Sequence, residues 1–210
     1  MSLVASIRRP LWGGVTAVSL TGLSVELWHH LARSSLSDAL LPRLSLSFEA
    51  NLPTWFASSL LLLCTITALD LSRSPTQPLR GSWRALAAAF AWASLDEAAE
   101  LHENLGGLIG TNGVLFFDWV IPAAVVVGAL ALAFWPWLRS LPTTTRRRML
   151  VAAAVYFGGA VLMELPLGWW TERAGADSLG YALIDWVEET LELAGASLML
   201  LALLGHREST

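Results

Sequence analysis

Acidic and imidazole side chains recur at helical spacing within otherwise apolar stretches of this sequence. In the first such stretch Glu26, His29 and His30 stand at positions i, i+3 and i+4. Residues at this spacing share one face of an α-helix. The pair Glu26-x-x-His29 also has the spacing by which di-metal carboxylate bundles supply a carboxylate and an imidazole from one helix turn. The pattern therefore predicts metal ligands on this helix.

Two later stretches carry stripes of carboxylates. At 100° per residue, Asp96, Glu100 and Glu103 fall within about 60° of arc on one helix face, with Glu97 at the edge. His102 points to another face. A second stripe consists of residues that again share one face: Tyr181, Asp185, Glu188, Glu189 and Glu192.

The segments that carry these residues are long enough to cross a membrane. Hydrophobic residues make up 55% of the 210-residue chain and charged residues 14%, against about 25% charged in a typical soluble domain. A helix needs about 20 apolar residues to cross a bilayer. The sequence therefore predicts one domain over residues 1–210, an all-α polytopic transmembrane helix bundle with about six spans: 11–31, 54–71, 83–108, 114–138, 149–170 and 181–204.

The arginines predict the orientation of the bundle. If the N-terminus is cytoplasmic, ten arginines lie on the inner side and three on the outer side, which accounts for all 13 basic residues. Cytoplasmic loops carry an excess of positive charge, so we expect both termini in the cytoplasm of a bacterium, with the chain in its inner membrane. No basic run suits nucleic acid, and the single Cys64 allows no disulfide within the chain.

This topology gathers the acids at one depth. It places 12 of the 17 acidic residues, and three of the four histidines, in or beside the outer half of the bundle. Ionisable groups within a membrane are costly and usually face the bundle interior or a cavity. We therefore predict one acidic cavity near the outer face, with these metal ligands: Glu26, His29, His30, Asp96, Glu100, Glu164, Glu188, Glu189 and Glu192.

So many carboxylates in one cavity of low dielectric constant cannot all ionise unless a positive charge joins them. Protons, the outer residues Arg33, Arg43 and Arg173, and a divalent cation are the alternatives. Carboxylate with imidazole suits zinc, iron or manganese, whereas carboxylate alone suits calcium or magnesium. For each residue the competing interpretation is structural, namely a side chain that reaches interfacial water or a hydrogen bond between spans.

Three classes of function remain open. The first is an intramembrane metalloenzyme that acts on a lipid or another membrane-soluble substrate, with Glu100 or Glu189 as general base. The second is a cation- or proton-coupled transporter or channel that uses the same acids as binding sites. The third is a non-catalytic subunit of a larger membrane complex, with histidines that hold a pigment or haem. Membrane lipids are the expected partners, along with other copies or subunits.

Three motifs carry a resemblance to known sequences. The stretches FEANLPTW (residues 48–55), SLDEAAELHE (94–103) and EETLELAG (188–195) resemble recurrent motifs of uncharacterised bacterial multi-span membrane proteins. A fainter similarity is to the alkaline ceramidase-like superfamily of intramembrane zinc hydrolases. That similarity implies site roles for Ser94 and for the Asp96-Glu97 pair. Glu188 and Glu192 have the spacing of the late histidine pair in that superfamily.

Overall fold

All regular secondary structure in the described part of the chain is helical. The computed structural model describes residues 2–77, 79–101 and 109–210, and these residues contain no β-strand. The helices are α1 (Leu3–Leu31), α2 (Ser35–Leu44), α3 (Leu52–Arg73), α4 (Arg80–Ala99), α5 (Val120–Ser140), α6 (Thr143–Phe157), α7 (Glu164–Ala174) and α8 (Leu179–Glu208). A 3-10 turn, Gly113–Leu115, precedes α5, and a π-helical turn, Gly158–Met163, joins α6 to α7. The predicted all-α class is confirmed.

Within the described part of the chain, three helical stretches are long and apolar enough to cross a membrane. They are Leu52–Arg73, Val120–Ser140 and Thr143–Ala174, the last of which runs through α6, the π turn and α7. The predicted segments 54–71 and 149–170 lie within the first and third of these stretches, and 114–138 overlaps the second.

Helix α8 lies at the centre of the fold and contacts α1, α3, α6, α7 and the π turn. Leu193 and Leu203 of α8 are fully buried in a hydrophobic core that includes Cys64 of α3 and Trp83 of α4. Helices α3 and α4 pack along each other as a pair. Residues on α8 therefore face several other helices at once.

Helix α8 and the α6–π–α7 helix approach each other unusually closely. A Cβ atom on Gly159 would lie 2.6 Å from the backbone oxygen of Glu188, and one on Gly195 would lie 2.5 Å from the backbone nitrogen of Tyr156. Small residues allow this kind of backbone contact between helices. The two glycines thus set the distance between α8 and the helix that carries Glu164.

Both ends of the chain lie at the same end of the bundle. The backbone N–H of Val4 donates to Oε1 of Glu208 at 3.0 Å. At the same end the buried His206 ring lies 3.0 Å from Gln77 Oε1 through Nε2, and 3.1 Å from Thr145 Oγ1 through Nδ1. The last turn of α8 is therefore tied to the α3–α4 connection and to the start of α6.

The prediction of one continuous span over residues 83–108 was wrong. Helix α4 ends at Ala99, because Glu100 adopts a left-handed conformation with φ of 52°. The Glu100 N–H donates to the carbonyl of Asp96 at 2.8 Å and closes the last turn. The helical phase that grouped Asp96 with Glu100 therefore does not hold. His102 and Glu103 lie outside the described residues. The fourth segment also begins later than predicted, since α5 starts at Val120.

Candidate functional site

Four carboxyl side chains of the predicted stripe lie along the first half of α8: Asp185, Glu188, Glu189 and Glu192. Asp185 is 8% exposed and Glu188 is 6% exposed. One oxygen of each, Oδ2 of Asp185 and Oε2 of Glu188, has no hydrogen-bond partner within the described part of the chain. None of the four carboxyls forms an ion pair there. Buried polar groups are normally hydrogen-bonded, so these two oxygens are available to a ligand.

Carboxyls from three other helices interact with this row. Glu164, directly after the π turn, lies within electrostatic range of Glu188 and Glu192. Glu97 of α4 interacts with Glu189 and Glu192. The row extends to α1 because Glu26 interacts with Asp185. We name these seven residues the acidic cluster: Glu26, Glu97, Glu164, Asp185, Glu188, Glu189 and Glu192.

A tyrosine of α6 also faces the acidic cluster. Tyr156 interacts with Glu97 and Glu189, and its hydroxyl is directed at Glu192. A phenol can donate one proton in a hydrogen bond and accept another. Tyr156 therefore adds a neutral donor to a set of side chains that otherwise carry like charges.

Glu26 differs from the carboxyls of α8 because both of its oxygens have partners. Ser45, which is fully buried, donates its hydroxyl to Oε1 of Glu26. Nε2 of His30 lies 3.4 Å from Oε2 of the same carboxyl. Glu26 is 3% exposed, and a charged acceptor with two such partners is well stabilised in a buried position. Glu26 is thus the fixed member of the acidic cluster.

His29 does not join Glu26, contrary to the prediction from their spacing. Its Nδ1 atom lies 3.1 Å from Oδ1 of Asp38 on α2. The same oxygen accepts a hydrogen bond from Nε of Arg33 at 3.0 Å. His29 therefore contacts α2. The imidazole that contacts Glu26 is His30, the next residue of α1.

On α4, Glu97 interacts with Glu189 and Glu192 of α8. The predicted ligand Glu100 occupies the left-handed position after the last helical residue, and Asp96 lies one position before Glu97. Ser94, for which the ceramidase similarity implies a site role, exchanges hydrogen bonds with Ser58 of α3: each hydroxyl donates to the other residue's backbone oxygen at 2.8 Å. Ser94 therefore joins α3 to α4.

The FEANLPTW motif builds a compact segment beside the acidic cluster. Asn51 caps α3 by accepting from the Thr54 N–H at 3.1 Å, and its Nδ2 atom donates to the carbonyl of Ser45 at 2.8 Å. The Thr54 hydroxyl donates to Oε2 of Glu49 at 3.3 Å. Glu49 in turn lies within electrostatic range of Glu192. The motif thus brings an eighth carboxyl to the edge of the cluster.

The donor set at this site is rich in oxygen and poor in nitrogen. Among residues 2–77, 79–101 and 109–210, no group of three or more His, Cys, Asp or Glu side chains is already placed to hold a metal ion. Carboxylate and hydroxyl oxygens suit protons and hard cations such as Ca²⁺ or Mg²⁺. With His29 directed at Asp38, His30 is the imidazole that lies beside the cluster among the residues that the structure describes, where it could bind a softer metal.

The sequence as a whole matches one family. The sequence profile of the family described as "Domain of unknown function (DUF8692)" matches residues 6–206. The chain belongs to this family. No curated protein and no solved structure matches it. The region shared with the DUF8692 family includes every residue of the acidic cluster and also His206 at the opposite end.

The metal ligands predicted from the sequence omit several residues that lie at this site in the DUF8692 chain. Glu97 and Asp185 lay on or beside the predicted stripes, so helical phase was the signal that could have selected them. Tyr156 and Ser45 gave no such signal, because long-range packing alone brings them to Glu192 and Glu26.

Proposed function

We propose that the chain is a multi-pass protein of the bacterial inner membrane with six spans and both termini in the cytoplasm. Three stretches have the length and apolar composition of a span. At 1.5 Å per residue, α1, α4 and α8 are about 44, 30 and 45 Å long, enough for a hydrocarbon core of about 30 Å. These three helices are less apolar because they carry Glu26, Glu97 and the acidic row of α8. The arginine distribution and the Val4–Glu208 contact support termini on one, cytoplasmic, side.

The exposed surface of α5 supports a lipid environment. Leu132 is 78% exposed and Val125 is 68% exposed, and only 11% of the residues in the most apolar stretch of α5 are buried. A soluble monomer rarely leaves such a continuous apolar surface in water. Membrane lipids are therefore the partners that we propose for this helix, alone or together with a second copy of the chain.

Within that membrane protein we propose that the acidic cluster binds protons or a hard cation, and that the protein is a cation- or proton-coupled transporter. The observation that carries the proposal is the pair of buried carboxyls, Asp185 and Glu188, each with an oxygen that lacks a partner in the described structure. Both carboxyls lie among other acidic side chains of the cluster. A bound positive charge would satisfy both oxygens and offset the repulsion.

The free-energy cost of several ionised acids within a bilayer supports their neutralisation by protons or by a bound cation. One ionised acid at the centre of a bilayer costs about 2.5–3.5 kcal/mol even on the lenient insertion scale. A whole protein is stabilised by only about 5–15 kcal/mol. Several uncompensated carboxylates would therefore consume most of that stability, and either protons or a cation must neutralise the cluster.

The helix that carries Glu164 favours transport over a rigid catalytic site. The π turn Gly158–Met163 ends immediately before Glu164, and Pro166 follows two residues later. A π turn and a proline each break the regular hydrogen-bond ladder of a helix. Transporters commonly bind their ions where spanning helices are interrupted in this manner, because such a helix can change its path while the rest of the bundle stays fixed.

A metal-dependent intramembrane enzyme is the second candidate function. The contact between His30 and Glu26 favours it, since an imidazole beside a carboxylate suits zinc, iron or manganese. Such a metal would lower the pKa of a bound water, and Glu189 with Tyr156 would handle the proton. Elemental analysis of protein purified without chelators tests this candidate. One equivalent of a transition metal in wild-type protein, lost in E26Q, supports it. Wild-type protein without a stoichiometric transition metal contradicts it.

Uptake by reconstituted protein tests the transport proposal. Liposomes that contain the purified chain and an internal pH indicator receive an inward pH gradient or membrane potential. Parallel liposomes that enclose an indicator for Ca²⁺ or Mg²⁺ receive that ion outside. We expect uptake of protons or of one of these ions by wild-type protein, and loss to the level of empty liposomes for E188Q. The control is E172Q, because Glu172 is exposed and pairs with Arg173. Absence of any wild-type uptake would overturn the proposal.

A further inference from the structure

The segment between α2 and α3, residues 45–51, enters the bundle instead of following its surface. Ser45 is fully buried and Leu46 is only 4% exposed, as part of the main hydrophobic core. On α1, Gly22 leaves the space that Leu46 occupies, since a Cβ atom there would clash with Leu46 Cδ1. Connecting segments normally run over the surface, so this one is specifically anchored.

Hydrogen bonds hold residues 45–51 in one conformation. Ser45 Oγ donates to Glu26 and accepts from the backbone N–H of Ser47 at 3.0 Å. Asn51 Nδ2 donates to the carbonyl oxygens of Ser45 at 2.8 Å and of Phe48 at 2.6 Å. The anchored Glu26 thereby fixes the segment to the acidic cluster, and Asn51 fixes its far end to α3.

Two side chains of this segment are presented to the acidic cluster. Ser47 lies beside the Asp185 carboxyl. Glu49 interacts with Glu192, is partly exposed, and is positioned by the Thr54 hydroxyl. Glu49 is thus accessible from outside the bundle on one side and faces the buried row of α8 carboxyls on the other.

We propose that residues 45–51 form the external port of the acidic cluster, with Glu49 as the first carboxyl that a proton or hydrated cation meets on its way to Glu192 and Glu188. This inference rests on the proposed cation-binding function. A surface carboxylate concentrates positive ions and shortens the step into a desolvated site. The unpartnered oxygens of Asp185 and Glu188 are the destination, and the Ser45–Glu26 bond positions the port.

The port affects the rate of loading more than the amount bound, and this difference provides the test. In the liposome assay E49Q is expected to slow the initial rate of uptake about tenfold, with the final amount unchanged. E49D, which keeps the carboxylate, should recover most of the rate, and the exposed E172Q should match wild type. If E49Q keeps the wild-type rate while E188Q abolishes uptake, the port is wrong and the proposed function stands. If wild type takes up nothing, both are wrong.

Thiol labelling tests the position of the port independently of uptake. Wild-type protein carries one cysteine, Cys64, which is fully buried, and serves as the unlabelled control. A membrane-impermeant thiol reagent applied outside intact cells should modify E49C and the exposed positive control E172C. Failure to label E49C while E172C reacts would overturn the port.

Discussion

A Cβ atom on Gly159 would lie 2.6 Å from the backbone oxygen of Glu188. This contact between the π turn and α8 brings the helix that carries Glu164 against the row of α8 carboxyls. The adjacent Gly158 has no neighbouring atom within 4 Å of such a Cβ. The two glycines therefore form a matched pair for testing whether the close approach matters.

We expect G159A to separate the two helices and G158A to leave them in place. Forcing a methyl group into a packed interface costs about 1–3 kcal/mol, and the separation should also weaken cation binding. G158A should change stability by no more than about 1 kcal/mol, and the higher helix propensity of alanine favours a gain. Thermal unfolding in detergent and cation uptake measure the two effects. Equal behaviour of both variants would contradict the interface.

Glu26 and Glu188 should respond oppositely to replacement by glutamine. E26Q removes a charged acceptor that Ser45 and His30 both contact, so it should lower the free energy of unfolding by about 1.5–3 kcal/mol. E188Q removes a charge that has an unpartnered oxygen and like-charged neighbours, so stability without added cation should be unchanged or higher. Denaturant unfolding in detergent without divalent ions measures both. A clear loss of stability in E188Q would argue against an uncompensated cluster.

The burial of His206 predicts that the stability of the fold depends on pH. Burial lowers the pKa of His206 from its ordinary value of 6.5, and both ring nitrogens already have neutral partners in Gln77 and Thr145. Below pH 6.5 the unfolded chain binds a proton that the folded chain resists, so the free energy of unfolding falls as pH decreases through this window. Above it, this contribution is constant.

The His206 contribution can be isolated by comparison with H206Q. The difference in unfolding temperature between wild type and H206Q should be largest at neutral pH and should shrink as the pH falls below 6.5. Titration of the acidic cluster affects both proteins equally and cancels in the difference. A difference that is independent of pH would show that His206 does not titrate on unfolding.

Reporter fusions test the proposed topology. Alkaline phosphatase, which is active only outside the cytoplasm, should be inactive when fused after Thr210 and active when inserted after Gly175, in the connection between α7 and α8. The arginine distribution and the contact that joins Val4 to Glu208 motivate this expectation. Activity of the fusion after Thr210 would contradict a cytoplasmic C-terminus.

The sequence by itself determined the helical class and the row of carboxyls on α8. Both depend on local periodicity, which a helix converts directly into shared faces. Apolar runs likewise predicted the stretches around α3, α5 and the α6–α7 helix, because their length and composition are properties of continuous segments. No tertiary contact is needed to read such patterns.

Only the tertiary structure decided which side chains meet. The helix that was expected to continue through Glu100 ends at Ala99, and Glu97, which was not among the predicted ligands, interacts with Glu192. The spacing of Glu26 and His29 predicted a pair, but His29 lies 3.1 Å from Asp38 on α2, and His30 and Ser45 contact Glu26 instead. Partners of this kind lie many residues apart, and their meeting depends on how helices pack and where they end, which local periodicity does not encode.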